Sequence, residues 1–206
     1  MIGTVPGGLR RWSGTVRCVR VVAGTARGRK LTAPRGRDVR PTTDRVREAI
    51  FNALRSLDAI DDASVLDLFA GTGALGIEAL SRGAAHATFV DQDRVARASV
   101  SANLSATGLE GRATVVADDA SRFVARHPRT QLFDLVLLDP PYAFDSWMEL
   151  LDAVAGVVAD GGVVVVESPA EPPTPTWGSI VRVKSYGSTV VTLLRRTPSP
   201  EPEPRP

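Results

Sequence analysis

Three features of this 206-residue sequence predict an α/β protein built on a doubly wound, mostly parallel sheet. Between residues 64 and 168, short β-branched runs alternate with segments of helical periodicity. The runs themselves, such as "LVLL" and "VVVV", are apolar at consecutive positions, which suits strands covered by helices on both faces. A glycine-rich turn follows the first of these runs and opens the next helix, where such sheets place a ligand-binding loop. The length suffices for one buried core with a small appendage.

The elements follow in order. Residues 1–15 are glycine-rich and aperiodic and are expected to be disordered. "VRCVRVVAG" (16–24) alternates weakly, and "TARGRKLTAP" supplies a glycine-containing turn and a second short strand, so a β-hairpin is expected. A basic loop, "RGRDVRPTTD", leads to a helix over 44–57. There Val46, Ala49, Ile50, Ala53, Leu54 and Leu57 share one face, Thr42, Thr43 or Asp44 provides the N-cap, and Arg45, Arg47 and Arg55 fall on the polar side. The alternating series is then "SVLDLFA", a helix from "GALGIEALSRG", "ATFVDQD", a helix from "DRVARASVSANLSATG", "ATVVADD", a short helix through Ala125 and "FDLVLLD". A helix from about Asp145 to Val158 precedes the strand "GGVVVVES". "IVRVKSYG" and "STVVTLLRR" flank a turn and pair as an antiparallel hairpin. The tail "TPSPEPEPRP" has nothing to bury and is expected to be disordered. The expected division is therefore 1–15, a basic extension over 16–43, a main domain over 44–197 and a tail over 198–206.

Apolar content of 43% and charged content of 23% are ordinary for a globular protein. No apolar run approaches membrane-spanning length, and no signal peptide is visible. A single cysteine, Cys18, excludes an internal disulfide and multi-cysteine metal clusters, so a cytoplasmic protein without metal is expected. Net charge is +2, but residues 1–55 hold 13 Lys/Arg against 3 Asp/Glu while the remainder is acidic. A basic front on an acidic body points to a polyanionic partner. Arg27, Arg29, Lys30, Arg35, Arg37 and Arg40 are the candidate contacts by position.

"DLFAGTGALG" holds Gly71, Gly73 and Gly76 in G-x-G-x-x-G spacing between a strand and a helix. Asp91 ends the next strand, 20 residues after Gly71, where a carboxylate meets ribose hydroxyls. This fits NAD as well as other adenosine cofactors. Asp67, inside the strand, disfavours a pyrophosphate and suits the cationic groups of S-adenosylmethionine. Asp119 and Ala120, at the end of the third strand, supply an acceptor and a backbone N–H for an adenine edge. "DPPY" (Asp139 to Tyr142) ends the fourth strand beside the glycine loop. The nitrogen of an exocyclic base amine is a poor nucleophile because its lone pair is conjugated with the ring. A carboxylate and the rigid Pro140 carbonyl can accept its two N–H bonds and localise that pair, while Tyr142 stacks on a base taken out of its helix. Catalysis of this kind rests on position and electrostatics.

The glycine loop followed by DPPY resembles the class I S-adenosylmethionine-dependent amino-methyltransferases. "RVVAGTARGRKLTAPRG", "RPTTDRVREAIFNAL" and "LDLFAGTGALGIEALSRGA" make the chain similar, over about residues 17–195, to the bacterial 16S rRNA (guanine-N2)-methyltransferase family, which acts on guanine 966 of that RNA. The resemblance implies a Rossmann-like, seven-stranded, mostly parallel sheet with an antiparallel last strand and an N-terminal β-hairpin extension. It implies S-adenosyl-L-methionine held by Thr43, Arg45, Asp67, Phe69, Ala70, Gly71, Gly73, Asp91, Gln92, Asp119, Ala120 and Asp139. Asp139, Pro140 and Tyr142 would be catalytic, and the partner would be 16S rRNA in the 30S subunit, met by a monomer. Tyr142 stands where some members carry phenylalanine, and the Asp118-Asp119 pair is a second departure. Direct transfer, without a covalent enzyme intermediate, is the expected mechanism. The rival readings are a DNA adenine-N6 methyltransferase, which shares DPPY, an NAD-dependent oxidoreductase and a non-catalytic RNA-binding module.

Overall fold

The computed structural model describes residues 19–33 and 43–198. The expectations for residues 1–15, Cys18, Arg35, Arg37, Arg40, Thr42 and nearly all of the tail lie outside the described residues. Among the described residues, nine strands and five α-helices follow in chain order: β1 (Val19–Arg20), β2 (Lys30–Leu31), α1 (Asp44–Arg55), β3 (Ser64–Leu68), α2 (Ala74–Ser81), β4 (His86–Val90), α3 (Arg94–Thr107), β5 (Ala113–Val116), α4 (Ala120–Arg126), β6 (Phe133–Leu138), α5 (Trp147–Val154), β7 (Val158–Ser168), β8 (Gly178–Tyr186) and β9 (Thr189–Arg196). β3 to β9 form a seven-stranded sheet in the order β5-β4-β3-β6-β7-β9-β8. The first five strands of that order are parallel, and β9 runs antiparallel to both β7 and β8. This is the class I methyltransferase arrangement.

Because side chains alternate along a strand, each central strand feeds two cores. Val65, Leu135, Leu137, Val163 and Val165 meet α1, α2, α3 and the β1–β2 hairpin on one face. Leu66, Leu68, Val136, Leu138, Val164 and Val166 meet α4 and α5 on the other. The helix caps follow the sequence. Thr43 accepts from the Val46 N–H at 3.3 Å, Asp93 caps α3, and Gly108 ends α3 at φ 73°.

Two elements differ from expectation. α5 spans only Trp147–Val154, because Val157 and Val158 are taken by the sheet: the Val157 carbonyl accepts from Phe133 N–H, and Val158 pairs with Phe133 at the start of a longer β7. Arg47, expected on the polar side of α1, is fully buried. The hairpin covers that side, and the Arg47 guanidinium donates to the Arg20 carbonyl at 2.6 Å and to Asp44 Oδ1 at 2.8 Å.

The hairpin is docked on the core through polar groups that the core buries. Glu78, fully buried on α2, accepts from the Val22 and Ala23 N–H groups at 2.7 and 3.0 Å and from Arg82 Nε at 2.6 Å. Ser81 Oγ accepts from Ala26 N–H at 3.0 Å and donates to the Ala23 carbonyl at 2.6 Å. Asn103, also fully buried, accepts from Thr32 N–H at 2.8 Å and donates to the carbonyls of Thr32 and Thr72 at 3.1 and 2.8 Å. The approach is so close that a Cβ on Gly24 would lie 1.8 Å from the Ser81 carbonyl oxygen.

Glu78→Ala would leave two backbone N–H groups and the largely buried Arg82 without their acceptor. It is expected to cost about 3 kcal/mol in urea unfolding; a loss below about 1 kcal/mol would show that water replaces the carboxylate and that the docking is loose.

Candidate active site

Sheet growth reverses between β3 and β6, so the loops after these neighbouring strands part and leave a crevice at their carboxyl ends. A cleft of about 1180 Å³ lies there. It exceeds the roughly 300–1,000 Å³ usual for one small-molecule site, and has room for a nucleoside-sized ligand and part of a second molecule.

The glycine loop forms one wall. Gly71 and Gly73 take φ 56° and 76°, open to glycine at little cost. Phe69, just before them, adopts φ 61°, rare for a bulky residue and found where surrounding packing holds it. That packing is visible: its ring meets the edge of Phe144 at 5.5 Å, and Phe144 meets Trp147 at 5.0 Å. The rings tie the glycine loop to the segment after DPPY. Gly76 serves helix–strand contact, since a Cβ there would lie 2.4 Å from the Phe89 ring. Its N–H donates to Asp67 Oδ2 at 2.9 Å.

Asp91 lines the cleft and organises it. Its Oδ2 accepts from Gly71 N–H at 2.9 Å and its Oδ1 from Asp93 N–H at 2.8 Å. Asp119 caps α4 through Oδ1 and Arg122 N–H at 3.0 Å, and lines the cleft with Ala120. Asp118 turns away, its carboxylate 3.4 Å from Arg122 Nε, so only one acid of the pair faces the site. Thr43 and Arg45, at the start of α1, complete this side with Phe69 and Gln92.

Opposite stands the segment after β6. Asp139, Pro140, Pro141 and Tyr142 all line the cleft. Pro140 is buried, Asp139 exposed, and the Tyr142 ring 56% exposed. The ring is nevertheless fixed, because its hydroxyl donates to the Ser188 carbonyl at 2.6 Å. The β8–β9 turn therefore holds the tyrosine.

Three of the residues expected to hold the donor are not among those that line the cleft. Asp67, Ala70 and Gly73 lie behind the wall, all buried. Burial pushes the Asp67 carboxyl well above the usual carboxylate range, the Gly76 N–H opposes this, and the charges of Asp139 and Asp91 reinforce it. Asp67, which the sequence sets against a pyrophosphate, stands behind the cleft wall and accepts from the Gly76 N–H at the start of α2. The same preference arises elsewhere. Among the described residues, the walls carry Asp91, Asp93, Asp119, Asp139 and Glu167 against a single guanidinium, Arg45. Such a site repels polyphosphates and suits a ligand with cationic or donor groups.

Sequence reasoning missed Glu167 and Ser168 at the end of β7, Pro169 after it, and Ser185 to Gly187 with Thr189 around the β8–β9 turn. The strand-ending Glu167–Ser168 offered the same signal as Asp91, a polar residue closing a parallel strand. No local signal marked Tyr186, which reaches the cleft only because β9 pairs antiparallel with β7 and β8 pairs antiparallel with β9. Of the basic candidates, Arg27, Arg29 and Lys30 are exposed on the hairpin and outside the cleft. Among the described residues no His, Cys, Asp and Glu cluster could hold a metal ion, and no helix is long and apolar enough to cross a membrane.

Residues 19–195 match the family model described as conserved hypothetical protein 95. The ribosomal RNA small subunit methyltransferase D of Escherichia coli (strain K12) is 40% identical over 183 residues, 86% of this chain and 90% of that protein. The Haemophilus influenzae protein of the same name is 33% identical over 174 residues, 82% and 89% of the two chains. Among solved structures, a hypothetical protein of Thermus thermophilus superposes with a TM-score of 0.72 at 34% identity, covering 85% of this chain and 98% of the other.

The raised Asp67 pKa carries a sign. A folded-state value above the unfolded one, about 3.9, means that wild type loses stability as pH rises through that window. Asp67→Asn keeps an acceptor for Gly76 and cannot titrate. The stability of the variant relative to wild type should therefore improve from pH 4 to pH 8 in thermal unfolding, and a difference constant with pH would contradict the shift.

Proposed function

This chain belongs to the conserved hypothetical protein 95 family, and we propose that it is an S-adenosylmethionine-dependent methyltransferase of ribosomal RNA, acting on the exocyclic N2 of a guanine in 16S rRNA, guanine 966 in that RNA's numbering. The observation that carries the reading is the meeting of Asp139, Pro140 and Tyr142 with the glycine loop and Asp91 across one acidic cleft. The walls fit the donor. Asp91 suits ribose hydroxyls, Asp119 and Ala120 an adenine edge, and Thr43 with Arg45 a carboxylate. The five wall carboxylates favour a sulfonium and an ammonium group and work against a dinucleotide's pyrophosphate, which disfavours the NAD reading. Bound there, S-adenosylmethionine supplies an electrophilic methyl group.

The protein's own residues then act on the base. Tyr142, its hydroxyl tied to Ser188, offers an exposed ring face on which a flipped guanine stacks. Asp139 and the Pro140 carbonyl accept the two N–H bonds of N2 and turn its lone pair outward. Asp139 is the base at hand for the proton that N2 releases after bond formation. Neither a covalent enzyme intermediate nor a metal enters the scheme. Arg27, Arg29 and Lys30 project from the hairpin as contacts to RNA phosphates, with Arg35, Arg37 and Arg40 continuing that basic stretch in the sequence. The protein works as a cytoplasmic monomer on the assembled or assembling 30S subunit.

Asp139→Ala should abolish transfer while donor affinity, read by calorimetry, changes less than about threefold; parallel loss of donor binding would move Asp139 from the base to the cofactor side. The substrate itself is tested by incubating the protein with methyl-labelled S-adenosylmethionine and unmodified 30S subunits, naked 16S rRNA or duplex DNA. Label recovered as N2-methylguanine at one rRNA position is expected. Label confined to DNA adenine would retain the chemistry and overturn the substrate.

A further inference from the structure

Beside the cleft runs a second, smaller groove of about 260 Å³. Ala49, Asn52 and Ala53 of α1 form one wall, and Arg182, Lys184 and Tyr186 of β8 the other. The three β8 residues are spaced by two, so they share one face of the strand, and they lead from the outer sheet towards the cleft. Tyr186 lines both hollows, so the two adjoin at this residue. β8 is the edge strand of the sheet, paired with β9 alone among the described residues, and Arg182 and Lys184 are exposed. The Lys184 ammonium lies 5.4 Å from the centre of the Tyr186 ring.

The electrostatics of the two hollows are opposite. The cleft wall is acidic, whereas no described residue lining the groove is. Arg182 and Lys184 lie in the part of the chain that is acidic overall, so they do not follow from the basic front. We infer that this groove is a second RNA-binding surface, in which Arg182 and Lys184 hold the phosphates of the nucleotides adjoining the target base while Tyr186 guides the strand into the cleft. The small side chains of α1 let a backbone lie close, and the opposite charge of the cleft leaves the phosphates outside and admits the uncharged base. The inference rests on the RNA reading above and extends it to Arg182 and Lys184 of β8, which lie outside the N-terminal basic block in the sequence.

The test compares wild type with the double variant Arg182→Gln/Lys184→Gln, both side chains being exposed. Binding to unmodified 30S particles is measured between about 50 and 200 mM salt, together with donor affinity and label transfer. Loss of two phosphate contacts should reduce the slope of log K against log[salt] by about 1.4 to 1.8 and raise KM for the particle, with donor affinity unchanged. Weaker binding at an unchanged slope would assign the groove to a ribosomal protein and overturn the inference. Normal wild-type transfer with neither affinity nor slope altered in the variant overturns the groove alone. Absent wild-type transfer to any rRNA overturns the substrate and the groove with it.

Discussion

The reversal of sheet growth between β3 and β6 is the constraint on which everything at the functional edge depends. Two parallel strands lie side by side in register, Asp67 beside Leu137 and Leu68 beside Leu138, and then their chains leave to opposite faces. No crossover helix covers the gap between them. One chain must turn tightly into α2, which explains the left-handed glycines. The other must turn without presenting N–H donors, which two prolines accomplish. The Phe69, Phe144 and Trp147 rings close the apolar end of the gap and hold the two turns together.

Charge is distributed around that gap with a division of labour. Asp67 is inside the core and kept towards its neutral form by burial, so it acts as a hydrogen-bond anchor for α2. Asp91 stands one layer out, holding the glycine loop from the solvent side while forming part of the wall. Asp139 stands furthest out, exposed, beside a buried proline. Carboxylates that look alike in the sequence thus have three environments. Depth decides which of them supports the backbone and which can meet a ligand.

The order of strands and helices was legible because the central strands are apolar at most consecutive positions and the glycine turn is unmistakable. The cap of α1 was legible too, since Thr43 acts within a few residues of itself. What escaped was long-range. Arg47 reads as a surface residue on a helical wheel, and only the hairpin, 27 residues earlier in the chain, makes it a buried one. The partner of Asp67 is also set by the fold, because the Gly76 N–H nine residues later bonds it behind the cleft wall. Tyr186 and the Ser188 carbonyl enter the site through antiparallel pairing that no local pattern encodes. The hairpin, by sequence an appendage to the main domain, contributes Val19, Val21, Ala26 and Leu31 to the same core as α1 to α3.

That docking has a consequence for the order in which the chain is made. The hairpin is synthesised first, yet Glu78, Ser81 and Asn103, which satisfy its backbone, follow 55 to 71 residues later. Glu78 and Ser81 become available to the hairpin with α2, but the anchor for Thr32 waits for Asn103 in α3. The hairpin's set of anchors is complete only with Asn103, which receives Thr32 and also fixes the Thr72 carbonyl in the glycine loop. The last anchor of the hairpin and one support of the glycine loop are the same side chain, so a nascent chain stalled before Asn103 lacks both.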